Sequence, residues 1–332
     1  MKKLITLSMC FIAFSLFAQE EEETEEKKAF SLSGSVDVYY QTNLTSTDRA
    51  LFGDLPQSFG TSFANETGFA LGMANIVGSY ESGKVGAVAD LAFGPRGDDA
   101  VGGYNINQLY AYWNVSESTT LTVGRFNTYL GYEVISPSAN FNYSTSYMFS
   151  NGPFSHVGLK ADFALSDDFS LMLAVMNPTD TNNNTTGDYA FGAQLGYKGQ
   201  FLNFYYDSGV VLGFEVDYTG GFDLTDSFFL GINAAYADND GSGFYGAALY
   251  PQYSINDAFS LGLRGEYFGF HYEEGDDDTV FATTLSGNYK INALTIIPEI
   301  RLDSWSDDTY FDSDLEPTKS LAVFTVAAVY TF

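Results

Sequence analysis

Apolar residues in this chain recur at every second position, and that periodicity excludes most folds. In segment 169–175, Phe169, Leu171, Leu173 and Val175 share one face. Further on, Phe281, Leu285 and Tyr289 alternate with Thr284, Ser286, Asn288 and Lys290. Leu294, Ile296, Ile300 and Leu302 likewise alternate with Thr295, Glu299, Arg301 and Asp303. Successive side chains of a strand point to opposite faces, so each such segment reads as a strand with one apolar and one polar side. The pattern predicts about sixteen strands, near 31–42, 67–80, 84–94, 104–115, 119–127, 155–165, 169–177, 187–198, 201–207, 211–222, 227–237, 243–255, 258–272, 279–290, 293–303 and 319–332. Residues 201–222 are the weakest stretch, because Asp207-Ser208-Gly209 leaves little room for a turn. Merging that pair gives fourteen strands, and eighteen is the other even count considered.

The connections sort into two kinds. Short turns precede the launches at Ser118, Asp167, Asp226, Asn256 and Asn292. Longer polar loops fall at 43–66, 94–103, 128–154, 178–187, 238–243, 273–278 and 304–318. Short turns on one rim and long loops on the other are the mark of a transmembrane up-and-down antiparallel β-barrel, an all-β fold. A soluble sandwich has no reason to sort its loops, and its water-facing side should be rich in charge. Here the second face is mostly Gly, Ser, Ala, Thr and Asn, as a crowded polar lumen requires. At sixteen strands a barrel is wide enough for an aqueous channel.

Composition supports the same class. The chain holds 30 Phe and 24 Tyr against 14 Lys plus Arg, and its net charge of −28 argues against a nucleic-acid partner. Lys2 and Lys3, the apolar run 4–17 and a cut near Ala18-Gln19 read as a signal peptide over 1–18. Cys10 invites a lipoprotein reading, but Met9 before it and the short apolar run disfavour it. Without the signal no cysteine remains, which removes thiol-based metal or redox chemistry. Residues 19–29 form an acidic tail that cannot bury apolar surface, leaving 30–332 as one barrel domain.

Placing the alternate face inward gives candidate pore-lining charges. The acids are Asp37, Asp90, Asp162, Glu215, Asp217, Glu266, Glu299 and Asp303, and the bases are Lys160, Arg264, Lys290 and Arg301. Acids outnumber bases about two to one, so as filters they predict mild cation preference. As struts they would pair along the wall, Arg264 with Glu266 and Arg301 with Glu299 or Asp303.

Residues 128–154 stand out as the longest connection, and they carry Tyr129, Tyr132, Phe141, Tyr143, Tyr147 and Phe149, with Glu133 among them. Long loops without secondary structure are functional or disordered, and six aromatics argue against disorder. Gln108-Leu-Tyr-Ala-Tyr-Trp113, the run 121–133, Asn142-Tyr-Ser144 and the run 149–154 resemble the OmpL-like outer-membrane porins, also called β-barrel porin type 2. The resemblance runs from about 30 to 332 and is strongest over 104–177. It implies a single-domain outer-membrane porin without a cofactor. By analogy with general porins, 128–154 is the third long loop, expected to fold inward and narrow the pore; an outward cap is the alternative. The closing aromatics Tyr330 and Phe332 resemble the tag read by the barrel-assembly machinery. Expected partners are outer-membrane lipid, that machinery and small hydrophilic solutes, with a homotrimer as one arrangement.

Other chemistry is thinly represented. A Ser-His hydrolase could use His156 with Ser155, oriented by Asn151 or Asp162, but neighbours on a strand face opposite ways. Glu273, Glu274 and Asp276–Asp278 could meet a hard cation, yet they lack calcium-loop spacing. The expected function is passive diffusion of small hydrophilic solutes; the alternative is a binding barrel with a blocked lumen.

Overall fold

A computed structural model describes residues 28–50, 57–102 and 104–332. The expected signal peptide and residues 19–27 of the acidic tail lie outside the described residues. Lys28 and Ala29, assigned to that tail, instead begin the first strand, opposite Ser82 and Glu81.

The barrel strands are β1 (Lys28–Asn43), β2 (Gly68–Ser82), β3 (Val85–Phe93), β4 (Ile106–Ser116), β5 (Thr119–Asn127), β6 (Ser155–Ala164), β7 (Phe169–Met176) and β8 (Ala190–Tyr197). They continue with β9 (Gln200–Tyr206), β10 (Phe214–Thr225), β11 (Phe228–Asn239), β12 (Ser242–Asn256), β13 (Phe259–His271), β14 (Asp278–Ile291) and β15 (Leu294–Trp305). A two-residue pair, β16 (Tyr310–Phe311) and β17 (Pro317–Thr318), precedes the last barrel strand, β18 (Ser320–Thr331). Each barrel strand pairs antiparallel with its neighbour in sequence, and β18 pairs with both β15 and β1 to close the cylinder. The doubtful pair at 201–222 is two strands, because Asp207 organises a real turn between them. Its carboxylate accepts the N–H groups of Gly209, Val210, Leu212 and Gly213 at 2.9–3.1 Å.

Alternation sorts the faces as the sequence requires. Phe169, Leu173, Val175, Phe281, Leu285, Tyr289, Ile300 and Leu302 are exposed on the outside, whereas Glu299, Arg301 and Asp303 on the other face of β15 are buried. Every connection on one rim, from 83–84 to 292–293, spans two to four residues. The opposite rim carries the long connections with one exception. β11 and β12 run on further than expected and meet at Asp240-Gly241, whose φ of 54° and 88° suit a tight hairpin.

The seam is closed by the chain's end. Phe332 and Gly34 exchange two backbone hydrogen bonds of 3.0 Å, and a Cβ on Gly34 would run into the Phe332 ring. That ring is exposed outward, not turned into the lumen. Truncating Phe332 removes both bonds and uncovers Gly34. A Phe332 deletion should therefore lower the heat-resistant, fast-migrating fraction on unheated detergent gels, whereas an unchanged fraction would show that the seam does not need it.

Candidate functional site: the lumen and the segment it holds

Residues 128–154 leave β5 and return to β6 by way of a short turn at Pro137–Ala139 and a one-turn helix, α2 (Tyr147–Asn151). α1 (Pro95–Val101) lies in the 94–105 connection. The inward faces of strands all around the barrel meet the 128–154 segment. Tyr129 and Leu130 pack with Met172, Met176 and Tyr205 of β7 and β9. Tyr147 and Met148 pack with Ala248 and Phe268 of β12 and β13. Ile135 and Phe149 meet Met73 and Ala92 of β2 and β3, and Tyr143 meets Tyr39 of β1 and Ile297 of β15. Several ring positions need bare backbone opposite them. A Cβ on Gly192 would strike the Tyr129 ring, on Gly231 the Tyr132 ring, and on Gly262 the Phe141 ring.

The charged side chains of the wall bind the segment's backbone. Glu266 on β13 accepts the N–H groups of Tyr147 and Met148 at 2.9 and 2.8 Å, and so caps α2 where orphan donors and the helix dipole favour a carboxylate. Glu299 on β15 accepts the N–H groups of Tyr143 and Ser144 at 2.8 and 3.1 Å. Asp217 on β10 accepts from Gly131 at 3.1 Å. Asp37 on β1 accepts the Tyr143 hydroxyl at 2.6 Å; it sits where the β1–β2 register slips by one residue, with bare Gly72 opposite its carboxylate. The cations complement the segment's carbonyls, with Arg264 donating to Ser144 at 2.6 Å and Arg301 to Thr145 at 2.8 Å.

The wall pairings expected from sequence are formed only in part. Arg301 holds Asp303 with two bonds of 2.9 and 2.8 Å, and Lys160 holds Asp162 at 2.6 Å. Arg264 does not bond Glu266; its ion-pair partner is Glu133 of the segment, at 2.7 Å. The reason is competition: α2 takes both oxygens of Glu266, and the segment brings its own acid to the guanidinium. Asp90 accepts from Asn75, Asn107 and Gln108 and makes no hydrogen bond to the segment among the described residues. Glu215 is buried on β10 with one oxygen lacking a partner among the described residues, and Lys290 is exposed.

The segment's aromatics serve different contacts. Tyr147 donates to Asp303 at 2.7 Å and lies across Phe268 and Trp305. Burial pushes the Tyr143 and Tyr147 phenols well above their usual range, so both act as neutral donors. Tyr132 stacks on Tyr250 at 4.3 Å, Tyr129 donates to the Phe204 carbonyl at 2.7 Å, and Phe149 packs on Phe63 and Phe154. His156 and Ser155 do not form a hydrolase pair: His156 meets Thr128 at 3.0 Å, and the Ser155 hydroxyl bonds Asp180. Asp277 and Asp278 accept the hydroxyls of Tyr245 and Tyr272.

Two buried cations escaped the strand pattern. Arg125 stands at an outward parity on β5, but Gly124 before it has φ of 134° and Asn182 of an outer connection bonds its guanidinium. Arg96 lies in α1 and faces the rings of Phe63 and Tyr143 at 4.7 and 5.2 Å. The segment 57–66, expected only as outer loop, also folds inward; Phe59 and Phe63 are buried, and the Phe59 carbonyl lies 2.9 Å from the Tyr147 hydroxyl.

Below residues 130–142, toward the short-turn rim, lies a cavity of about 480 Å³. A closed sixteen-strand antiparallel barrel with an apolar outside and a polar inside defines a porin-type protein of the bacterial outer membrane. Residues 29–332 match the family described as beta-barrel porin-2, OmpL-like, and the chain belongs to that family. No curated protein sequence matches it. Among solved structures, an anion-selective porin from Comamonas acidovorans superposes with TM-score 0.60 at 10% identity, covering 92% of this chain and 100% of that one. OmpT of Vibrio cholerae gives 0.52 at 10% identity, covering 95% and 100%, and a mutant Rh. blastica porin gives 0.51 at 13%, covering 92% and 100%. At these identities the likeness is one of fold.

Proposed function

We propose that this porin passes small hydrophilic solutes and ions by passive diffusion, with residues 128–154 narrowing the lumen. The observation that carries the reading is the segment's position: its backbone is hydrogen-bonded to inward side chains of β10, β13 and β15, above a cavity of about 480 Å³. The surplus of inward acids supports mild cation preference. It is mild because Glu266, Glu299 and Asp217 already accept N–H groups and Asp303 is paired. Export by residues 1–18, recognition of Tyr330 and Phe332 by the assembly machinery, and a homotrimer in outer-membrane lipid complete the proposal.

One observation favours a second reading, a ligand- or receptor-binding barrel with a blocked lumen. The mid-height residues Arg264, Glu266, Arg301, Asp303, Asn203 and Thr284 are almost wholly covered. Purified protein in planar bilayers separates the two. Discrete conductance steps, with a reversal potential displaced toward that of the cation in a salt gradient, support the porin; silent membranes from well-folded protein would leave the binding barrel.

A further inference from the structure

The cavity between residues 130–142 and the short-turn rim has an unusual lining for an ion path. Only Glu133 and Lys290 among its lining residues carry charge, and Glu133 is buried against Arg264 at 2.7 Å. Lys290 alone is exposed. The side chains of Thr219, Gln252 and Thr295 line the same space, and none makes a side-chain hydrogen bond within the described residues. Beside them lies Phe141, half-buried, with its ring set against the bare backbone of Gly262. Its carbonyl accepts from Asn288 at 2.9 Å, which fixes the residue over the cavity.

An apolar plate beside free amides and hydroxyls matches one solute chemistry. A pyranose ring offers a C–H face to an aromatic ring and a rim of hydroxyls to neutral donors and acceptors. An ammonium entering the same space gives up hydration and finds no open counter-charge, and a carboxylate finds only the exposed, hydrated Lys290, a pairing that adds little in water. The volume falls in the range of roughly 300–1,000 Å³ that small-ligand sites occupy. We propose that this cavity is a subsite for neutral saccharides, a narrower claim that rests on the porin reading. Phe141 supplies the stacking face and Gln252 a polar contact, so organic solutes are chosen for being neutral and polyhydroxylated while small ions pass alongside.

The test adds maltose, gluconate or glucosamine to each side of a bilayer holding the full-length barrel, and pairs this with calorimetry of the solubilised protein with maltose. Maltose should depress the ionic current saturably, and the two charged sugars should not. Phe141→Leu, which keeps an apolar group on Gly262, should raise the half-saturating maltose concentration about tenfold, as loss of a ring contact implies. Phe141→Trp should restore it, and Gln252→Leu should weaken it without touching the segment's anchors. Conducting channels indifferent to maltose, or blocked equally by gluconate or glucosamine, would overturn the subsite while leaving the porin standing. If the protein does not conduct, the porin reading fails by itself and calorimetry decides the subsite. Heat that is lost in Phe141→Leu keeps it; no heat with wild type removes it.

Discussion

Replacing residues 133–150 with a short Gly-Ser linker should raise single-channel conductance several-fold while the barrel still assembles. The wall does not need the segment for its own hydrogen bonds, since every barrel strand is paired on both sides. What the segment supplies is the covering of the mid-lumen. Tyr129, Tyr143, Tyr147 and Phe149 are all buried against the inward face of the wall. Once it is removed, water reaches Arg264, Glu266, Arg301 and Asp303, so those charges regain hydration and do not become orphans. Gly262 loses the Phe141 ring and widens the bore further, while Tyr129 and Tyr132 stay opposite Gly192 and Gly231. Conductance steps and folded-gel mobility measured on the same preparation decide the matter. Wild-type conductance in a well-folded shortened variant would mean that the resistance lies elsewhere.

Glu133→Ala should be the most damaging single change inside the lumen. Arg264 is wholly buried, and Glu133 is its ion-pair partner at 2.7 Å. Glu133 also accepts the Ser146 N–H at 2.6 Å, next to the start of α2. Alanine leaves a guanidinium with only neutral acceptors, on Ser144, Thr145 and Thr284, to hold it. Breaking a buried pair by removing one partner costs about 3–5 kcal/mol where water stays out. The loss should appear first in the segment: faster amide exchange over 143–148 and noisier current, ahead of any loss of the barrel. Glu133→Ala combined with Arg264→Met removes the stranded charge and should recover much of the stability. Equal urea midpoints in detergent for wild type and Glu133→Ala would show that Arg264 is hydrated in the folded protein.

Much of the scaffold was readable because strand parity is local. Val175 and Ile300 face outward and Glu299 and Asp303 inward for the same reason: a two-residue repeat with one apolar face. Parity alone misjudged Arg125: it keeps its outward register opposite Leu109 and Val157, yet its guanidinium is buried by bonds to the Asn107 carbonyl and to Asn182 of an outer connection. The turn at 240–241 is shorter than its sequence suggests, because polar Asp238 and Asn239 look like loop yet extend β11. The segment 128–154 declared itself by its length and its aromatics. The inward folding of 57–66 gave no comparable signal, since its Phe59 and Phe63 are spread among turn-forming residues.

The sequence by itself determined a barrel of about sixteen strands, their order around the cylinder and the face on which most wall residues fall. These follow from a period of two and from neighbours in sequence pairing as neighbours in space. Only the tertiary structure decided what the inward charges hold. Arg264 and Glu266 are two residues apart on one strand and look like a pair, yet Arg264 bonds an acid 131 positions away. Which carboxylate a buried guanidinium takes depends on which oxygens are already occupied and on what is excluded from water. Both are settled by the path of residues 128–154 across the barrel, and no local pattern encodes that path.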